Sequence, residues 1–144
     1  MGPYADQLMA DVEEVVALAD ETTLDPLQLA NGAKALLDEI ATGKITGEED
    51  RYSHTDLWDF AANLEGWQAA VQALRPYLEE AAPELVAEID ERFAATEAEL
   101  AQYRAGDGWM FYDQLSQVNL KGLSDSITAL TESVSQVAAV VAQR

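Results

Sequence analysis

The densest group of chemically versatile side chains lies between Gly47 and Phe60. Carboxylates are hard oxygen ligands for calcium, magnesium or ferric iron, and an imidazole adds a borderline donor. Asp56 and Asp59 are three residues apart, so on a helix they share a face and could converge on one cation. The segment therefore predicts a metal site whose candidate ligands are Glu48, Glu49, His54, Asp56 and Asp59.

The same residues also have purely structural interpretations. Glu48 and Glu49 precede a predicted helix, and negative charge is favoured at a helix N-terminus. Asp56 could serve only as a helix cap, and His54 could hydrogen-bond a neighbouring helix. Arg51 could pair with Asp59 or Glu49. The residue types alone leave both interpretations open.

An aromatic group after the fourth predicted helix is the second place where chemistry could occur. Trp109, Phe111 and Tyr112 lie within residues 106–116, a stretch predicted to be a loop. Such a loop can line a ligand pocket, but more often it closes the open end of a helical bundle. We expect the closing role.

The common catalytic signatures do not occur in this sequence. It has no GxSxG, P-loop, GxGxxG or HExxH motif. It has one histidine and no cysteine, which excludes a thiol nucleophile, a disulfide and a two-histidine metal site. A serine–histidine–aspartate set from Ser53, His54 and Asp56 is disfavoured, because near neighbours at a helix start point in different directions.

Composition narrows the class of protein further. The chain has 144 residues, enough for one domain with a real core, and 49% of them are hydrophobic. Its formal net charge is −19 at pH 7. Such a surface repels phosphate backbones and anionic lipids, so we expect no nucleic-acid partner, whereas cations and basic partners are attracted.

The spacing of apolar residues predicts an all-α fold. Between Leu57 and Leu78 they recur at steps of three and four, which places them on one helical stripe, and later segments repeat this rhythm. The pattern predicts an antiparallel four-helix bundle with an additional shorter N-terminal helix, forming a single domain over residues 1–144. The predicted helices span 4–20, 26–42, 54–79, 83–105 and 117–143.

Capping residues mark several of these boundaries. Asp25 and Gln28 flank a proline at a first helical position, which predicts a helix start. Residues 53–56 resemble a capping box with aspartate in place of the usual glutamate. Ser116 or Asn119 is predicted to begin the last helix, and Gly106 is predicted to close the fourth.

Three stretches carry a resemblance to a known family. Residues 31–39, 44–49 and 51–57 are similar to the imelysin-type peptidase family, and within it to the EfeO-like branch of bacterial iron-uptake proteins. The run 44–60 is specific, and the resemblance extends more loosely along nearly all of the chain. It implies an exported, all-helical protein of two similar bundles, working in the periplasm or outside the cell. It also implies ferrous or ferric iron as cargo, an iron permease and a peroxidase-like partner.

The family's His-x-x-Glu motif is absent, because His54 is followed three residues later by Leu57. We therefore expect this chain to be the second bundle of the family's domain, with the N-terminal bundle as its missing partner. An isolated half would expose an apolar interface and could self-associate. The first residues lack the basic and apolar regions of a signal peptide, so we expect the export signal to lie outside this chain.

These observations favour a metal-handling module of an iron-uptake system, without catalysis, with zinc or calcium compatible with the same donors. A structural bundle that docks a partner domain or permease is the first alternative. A fragment of an imelysin-type metallopeptidase is the second, although no visible ligand set would activate water.

Overall fold

The structure, a computed structural model, describes residues 2–42 and 50–143, with side chains for 2–36 and 50–143. Helices account for most of the described residues, which confirms the predicted helical class. The elements in chain order are α1 (Gly2–Glu21), α2 (Pro26–Thr42), α3 (Asp56–Ala81), α4 (Pro83–Ala101), β1 (Arg104–Ala105), β2 (Gly108–Trp109), a 3-10 helix (Tyr112–Gln114) and α5 (Gln117–Val141).

Side-chain caps fix the starts of α2 and α5 where the sequence predicts them. The Asp25 carboxylate accepts hydrogen bonds from the backbone N–H groups of Leu27 and Gln28, both at 2.9 Å. The Gln28 side chain accepts in return from the Asp25 N–H at 3.1 Å. Ser116 and Asn119 form the same reciprocal arrangement before α5. Each pair satisfies backbone donors that a helix start would otherwise leave without partners.

The core is formed by one apolar stripe from each of three long helices. Every residue of the predicted α3 stripe is buried, from Leu57 and Phe60 through Trp67 to Leu78. α4 adds residues such as Ile89, and α5 adds its own stripe. Burying one such side chain fully contributes about 1.5–3 kcal/mol. α2 packs against α3 and α5, α4 packs against α3 and α5, and α3 also contacts α5. The antiparallel four-helix bundle stays a prediction.

A small β-hairpin follows α4, which corrects two predictions. α4 ends at Ala101 and not at residue 105, and β1 pairs antiparallel with β2, with Arg104 opposite Trp109. Gly106 and Asp107 form the two-residue turn between the strands. Gly106 has φ of 60°, as the first position of a type II′ hairpin turn requires, so it closes the hairpin and not the helix.

The N-terminal helix α1 differs from the other helices because none of its residues is buried. At 20 residues it is longer than α2 and α4, so the prediction of a shorter additional helix was wrong. It exposes large apolar side chains, among them Tyr4, Leu8 and Val15. In the part of the chain that the structure describes, no helix has the length and apolarity needed to cross a membrane.

Candidate functional site

A tight turn closed by its own residues leads into α3. The backbone carbonyl of Asp50 accepts a hydrogen bond from the His54 N–H at 2.7 Å. The Thr55 hydroxyl donates to the Asp50 carboxylate, and the Ser53 and Thr55 hydroxyls lie 3.0 Å apart. These bonds fix the position from which α3 begins.

His54 occupies a strained backbone conformation at the end of this turn. Its φ is 57°, and it is the one non-glycine residue with positive φ among the described residues. For an L-amino acid the left-handed region costs about 1 kcal/mol. The strain is held by bonds on both sides, since the His54 carbonyl accepts from the Tyr112 N–H at 2.9 Å. α3 begins at Asp56, two residues after the predicted start, because the backbone angle of His54 is not helical.

Asp56, the first residue of α3, carries a buried carboxylate that has no hydrogen-bonding partner in the described part of the chain. Only 8% of the residue is exposed, and neither oxygen accepts a hydrogen bond within the described residues. The predicted capping box is wrong, because the N-cap is Thr55, which makes no side-chain cap bond. The helix dipole favours a negative charge here by about 0.3–1 kcal/mol, less than leaving a buried acceptor unsatisfied costs.

Residues 111–114, which follow the hairpin and include the 3-10 helix, pack against the start of α3. The backbone bond from Tyr112 to His54 makes one contact. The rings of Trp58 and Phe111 make another, with their centroids 6.0 Å apart. Tyr112 itself is half-buried. Burial raises the pKa of the Tyr112 phenol, and the negative charge of Asp56 raises that pKa further. The phenol and the buried carboxylate therefore lie within electrostatic reach of each other.

The predicted metal ligands differ in how deeply they are buried. Asp56 is buried, His54 is half-buried, and Asp59 is exposed. Glu48 and Glu49 lie outside the described residues. Among residues 2–36 and 50–143, no three histidine, aspartate or glutamate side chains gather closely enough to hold a metal ion. The five-ligand site stays a prediction.

Tyr112 is the oxygen donor near this site that the sequence pattern did not single out as a ligand. The aromatic group 109–112 drew attention only as a lid or pocket wall. No spacing rule connects it with the turn before α3, because the hairpin and the 3-10 helix decide where the phenol lies.

A second feature is a cleft of about 280 Å³ between α3, α4 and the hairpin. The Arg104 guanidinium lies 3.7 Å from the centre of the Trp109 ring, which is a cation–π contact. Both side chains line the wall of the cleft. Glu65 and Glu97 bring negative charge to the same cleft. Its lining residues are Ala61, Leu64, Glu65, Glu97, Leu100, Ala101, Arg104 and Trp109.

Comparison with models of known protein families shows the family to which this chain belongs. The family model for imelysin, peptidase family M75, matches residues 1–137. The chain therefore belongs to the imelysin family, as the resemblance in residues 44–60 implied.

Individual relatives narrow the assignment within that family. The chain is 46% identical over 98% of its length to the iron uptake system component EfeO of Escherichia coli O157:H7. It is 45% identical over the same share to the proteins of that name from Escherichia coli K12 and Shigella flexneri. The chain is thus a homologue of EfeO, and it spans 38% of the length of these relatives.

Proposed function

We propose that this chain is an iron-handling module of a bacterial iron-uptake system. It captures ferrous or ferric iron through oxygen donors around the start of α3 and passes the ion on without catalysis. The observation that carries this proposal is the 46% identity, over 98% of the chain, to a protein named as an iron-uptake component.

The charge and the site chemistry support capture of a cation. A net charge of −19 raises the local concentration of cations around the molecule. The buried carboxylate of Asp56 is an acceptor without a hydrogen-bonding partner among the described residues, and a cation is one of the few groups that would compensate it. His54 and Asp59 lie within three residues of it, and Glu48 and Glu49 belong to the same proposed ligand set.

The relatives also suggest the setting in which the module works. Because it spans 38% of their length, we propose that it acts together with the rest of an EfeO-type protein, as one bundle of a two-bundle domain. We place that protein in the periplasm or outside the cell. There it would deliver iron to a permease with a peroxidase-like partner.

Calorimetric titration with ferrous, ferric and zinc ions tests the capture. The variant carrying His54→Ala, Asp56→Ala and Asp59→Ala should lose most of the binding heat. A control carrying Glu84→Ala and Glu91→Ala also removes two negative charges, but from exposed positions of α4. This control should keep the binding heat. Equal heats from both variants would show that general acidity, and not this site, attracts the metal. A parent protein that binds no iron would refute the proposed function.

The exposed apolar side chains of α1 favour a second function, docking of a partner domain or permease. Tyr4 is 86% exposed and Leu8 is 63% exposed, although amphipathic helices normally bury such residues. Sedimentation over a range of concentrations tests whether the same surface also drives self-association. Leu8→Glu should then lower the apparent mass, whereas a strict monomer at every concentration would exclude self-association.

A further inference from the structure

The first turn of α3, which carries the buried carboxylate of Asp56, and the 3-10 helix that begins at Tyr112 lie side by side although they are far apart in the sequence. The hydrogen bond from the Tyr112 N–H to the His54 carbonyl places the 3-10 helix beside the first turn of α3. The Trp58–Phe111 ring contact supports the same placement from the neighbouring residues. The two side chains therefore belong to one small region although they lie on different elements.

Within the described residues, no side chain or backbone group donates a hydrogen bond to the Asp56 carboxylate. The residue is more than nine-tenths buried, and both of its oxygens lack a hydrogen-bond donor within the described residues. A fold that needed only a helix start could place an alanine or a solvent-facing acid at this position. A buried acceptor without a donor requires some other compensating group, and a bound cation is one such group.

The pairing of donors selects among cations. A carboxylate and a phenolate are both hard, anionic oxygen ligands, and such ligands favour hard, highly charged ions. When a phenol coordinates a strongly polarising cation, its O–H bond breaks, the oxygen binds the metal and the proton leaves to solvent. Of ferrous iron, ferric iron, zinc and calcium, ferric iron is the hardest and most highly charged ion and fits such a pair best.

We propose that Asp56 and Tyr112 together ligate ferric iron, with Tyr112 bound as a phenolate. This inference rests on the proposed function and goes beyond it, because it names the oxidation state of the captured ion and adds a ligand outside the segment 47–60. The remaining coordination positions belong to a chelator, to water or to other donors.

The probe is ferric nitrilotriacetate, a chelate that keeps ferric iron soluble and leaves neighbouring coordination positions open for a pair of protein oxygens. An iron–phenolate bond absorbs visible light by charge transfer, whereas the iron-free protein and the chelate are nearly transparent there. Iron content after gel filtration measures binding, and the visible band reports the phenolate. Retained iron without the band therefore indicates binding through other ligands.

We expect the parent protein to retain iron and to show the band. Tyr112→Phe should bind iron more weakly and, at chelate concentrations where it is still loaded with iron, should show no band. Asp56→Asn should weaken iron binding by at least about tenfold, since even an outer-shell partner of a metal ligand contributes that much. Tyr77→Phe is the matched control, because it removes the hydroxyl of another half-buried tyrosine, which donates to the Val140 carbonyl. It should keep both iron and band.

Tyr52→Phe is a second control, because Tyr52 also lies in the turn before α3 but is 94% exposed. This variant should also keep the band. Should Tyr112→Phe fail to fold, as judged by its helical circular dichroism, resonance Raman spectra with ring-deuterated tyrosine test the parent protein directly. Tyrosinate vibrations that shift on deuteration would support the phenolate bond, and bands that do not shift would overturn it.

Two results would overturn the inference while leaving the proposed function intact. One is a parent protein that retains ferric iron with no visible band. The other is a band that persists in Tyr112→Phe. A parent protein that retains no iron at all would instead refute the proposed function, and the inference with it.

Discussion

Replacing Asp56 by alanine should stabilise the iron-free protein. An unsatisfied buried polar group costs about 1–3 kcal/mol, and the substitution removes it. The favourable interaction of the negative charge with the α3 dipole, about 0.3–1 kcal/mol, is lost at the same time. The difference predicts a gain of about 1–2 kcal/mol in the free energy of unfolding, or about 3–6 °C in melting temperature for a domain of this size.

Iron should reverse the order of the melting temperatures of the parent protein and the Asp56→Ala variant. A ligand present at 100 times its dissociation constant stabilises the native state by about 2.7 kcal/mol. With ferric nitrilotriacetate at that level, the parent protein should melt above Asp56→Ala, which has lost a ligand. Thermal unfolding followed by circular dichroism at 222 nm, with and without the chelate, measures both orders in one experiment.

The control for this experiment is Asp113→Asn. Asp113 is an exposed acid on the 3-10 helix next to Tyr112, so the substitution changes the charge without removing a buried group. It should alter stability by less than about 0.5 kcal/mol and leave the response to iron unchanged. An Asp56→Ala protein that is less stable than the parent without iron would refute the reasoning, since its carboxylate would then be satisfied in solution.

Three further predictions concern contacts around the core. Arg75 of α3 pairs with both oxygens of Asp90 on α4, so Arg75→Gln should destabilise the fold by about 0.5–1 kcal/mol in chemical denaturation, less at high salt. A Cβ on Gly108 would lie 2.6 Å from the Trp58 ring, so Gly108→Ala should displace that ring, and a tryptophan emission spectrum identical to that of the parent protein would contradict this. Burial raises the pKa of Tyr103 above 10.0, so stability that is present below pH 10 should fall as pH rises, and urea titrations should show a shallower fall for Tyr103→Phe.

The parts of the fold that follow from local rules could be predicted from the sequence. The cap at Asp25 depends on residues two and three positions away, and the α3 stripe depends on steps of three and four. Each is a relation within one helix or at its boundary, so the order of residues contains all the information that is needed. The start of α2 at Pro26 agrees with the prediction for this reason.

The parts of the site that depend on tertiary contacts could not be predicted. Histidine is among the non-glycine residues that adopt positive φ more often than others, but only a few per cent of residues do so, and the sequence does not indicate which. His54 is held in this conformation by backbone hydrogen bonds to Asp50 and Tyr112 on either side. The capping box at residues 53–56 failed for the same reason, since the Thr55 hydroxyl is turned towards Asp50. The proximity of Tyr112 to Asp56 depends on a hairpin that the helical pattern did not indicate.

Two unfavourable features therefore lie within three residues of each other at the start of α3. The left-handed backbone at His54 costs about 1 kcal/mol. The Asp56 carboxylate, which accepts no hydrogen bond from residues 2–36 or 50–143, costs about 1–3 kcal/mol more. Neither is needed to begin a helix, because the caps at Asp25 and Ser116 begin α2 and α5 with every local preference satisfied. Such departures from local preference are typical of functional sites, where stability is given up for ligand binding. Their coincidence beside a half-buried phenol favours ion capture over a purely structural turn.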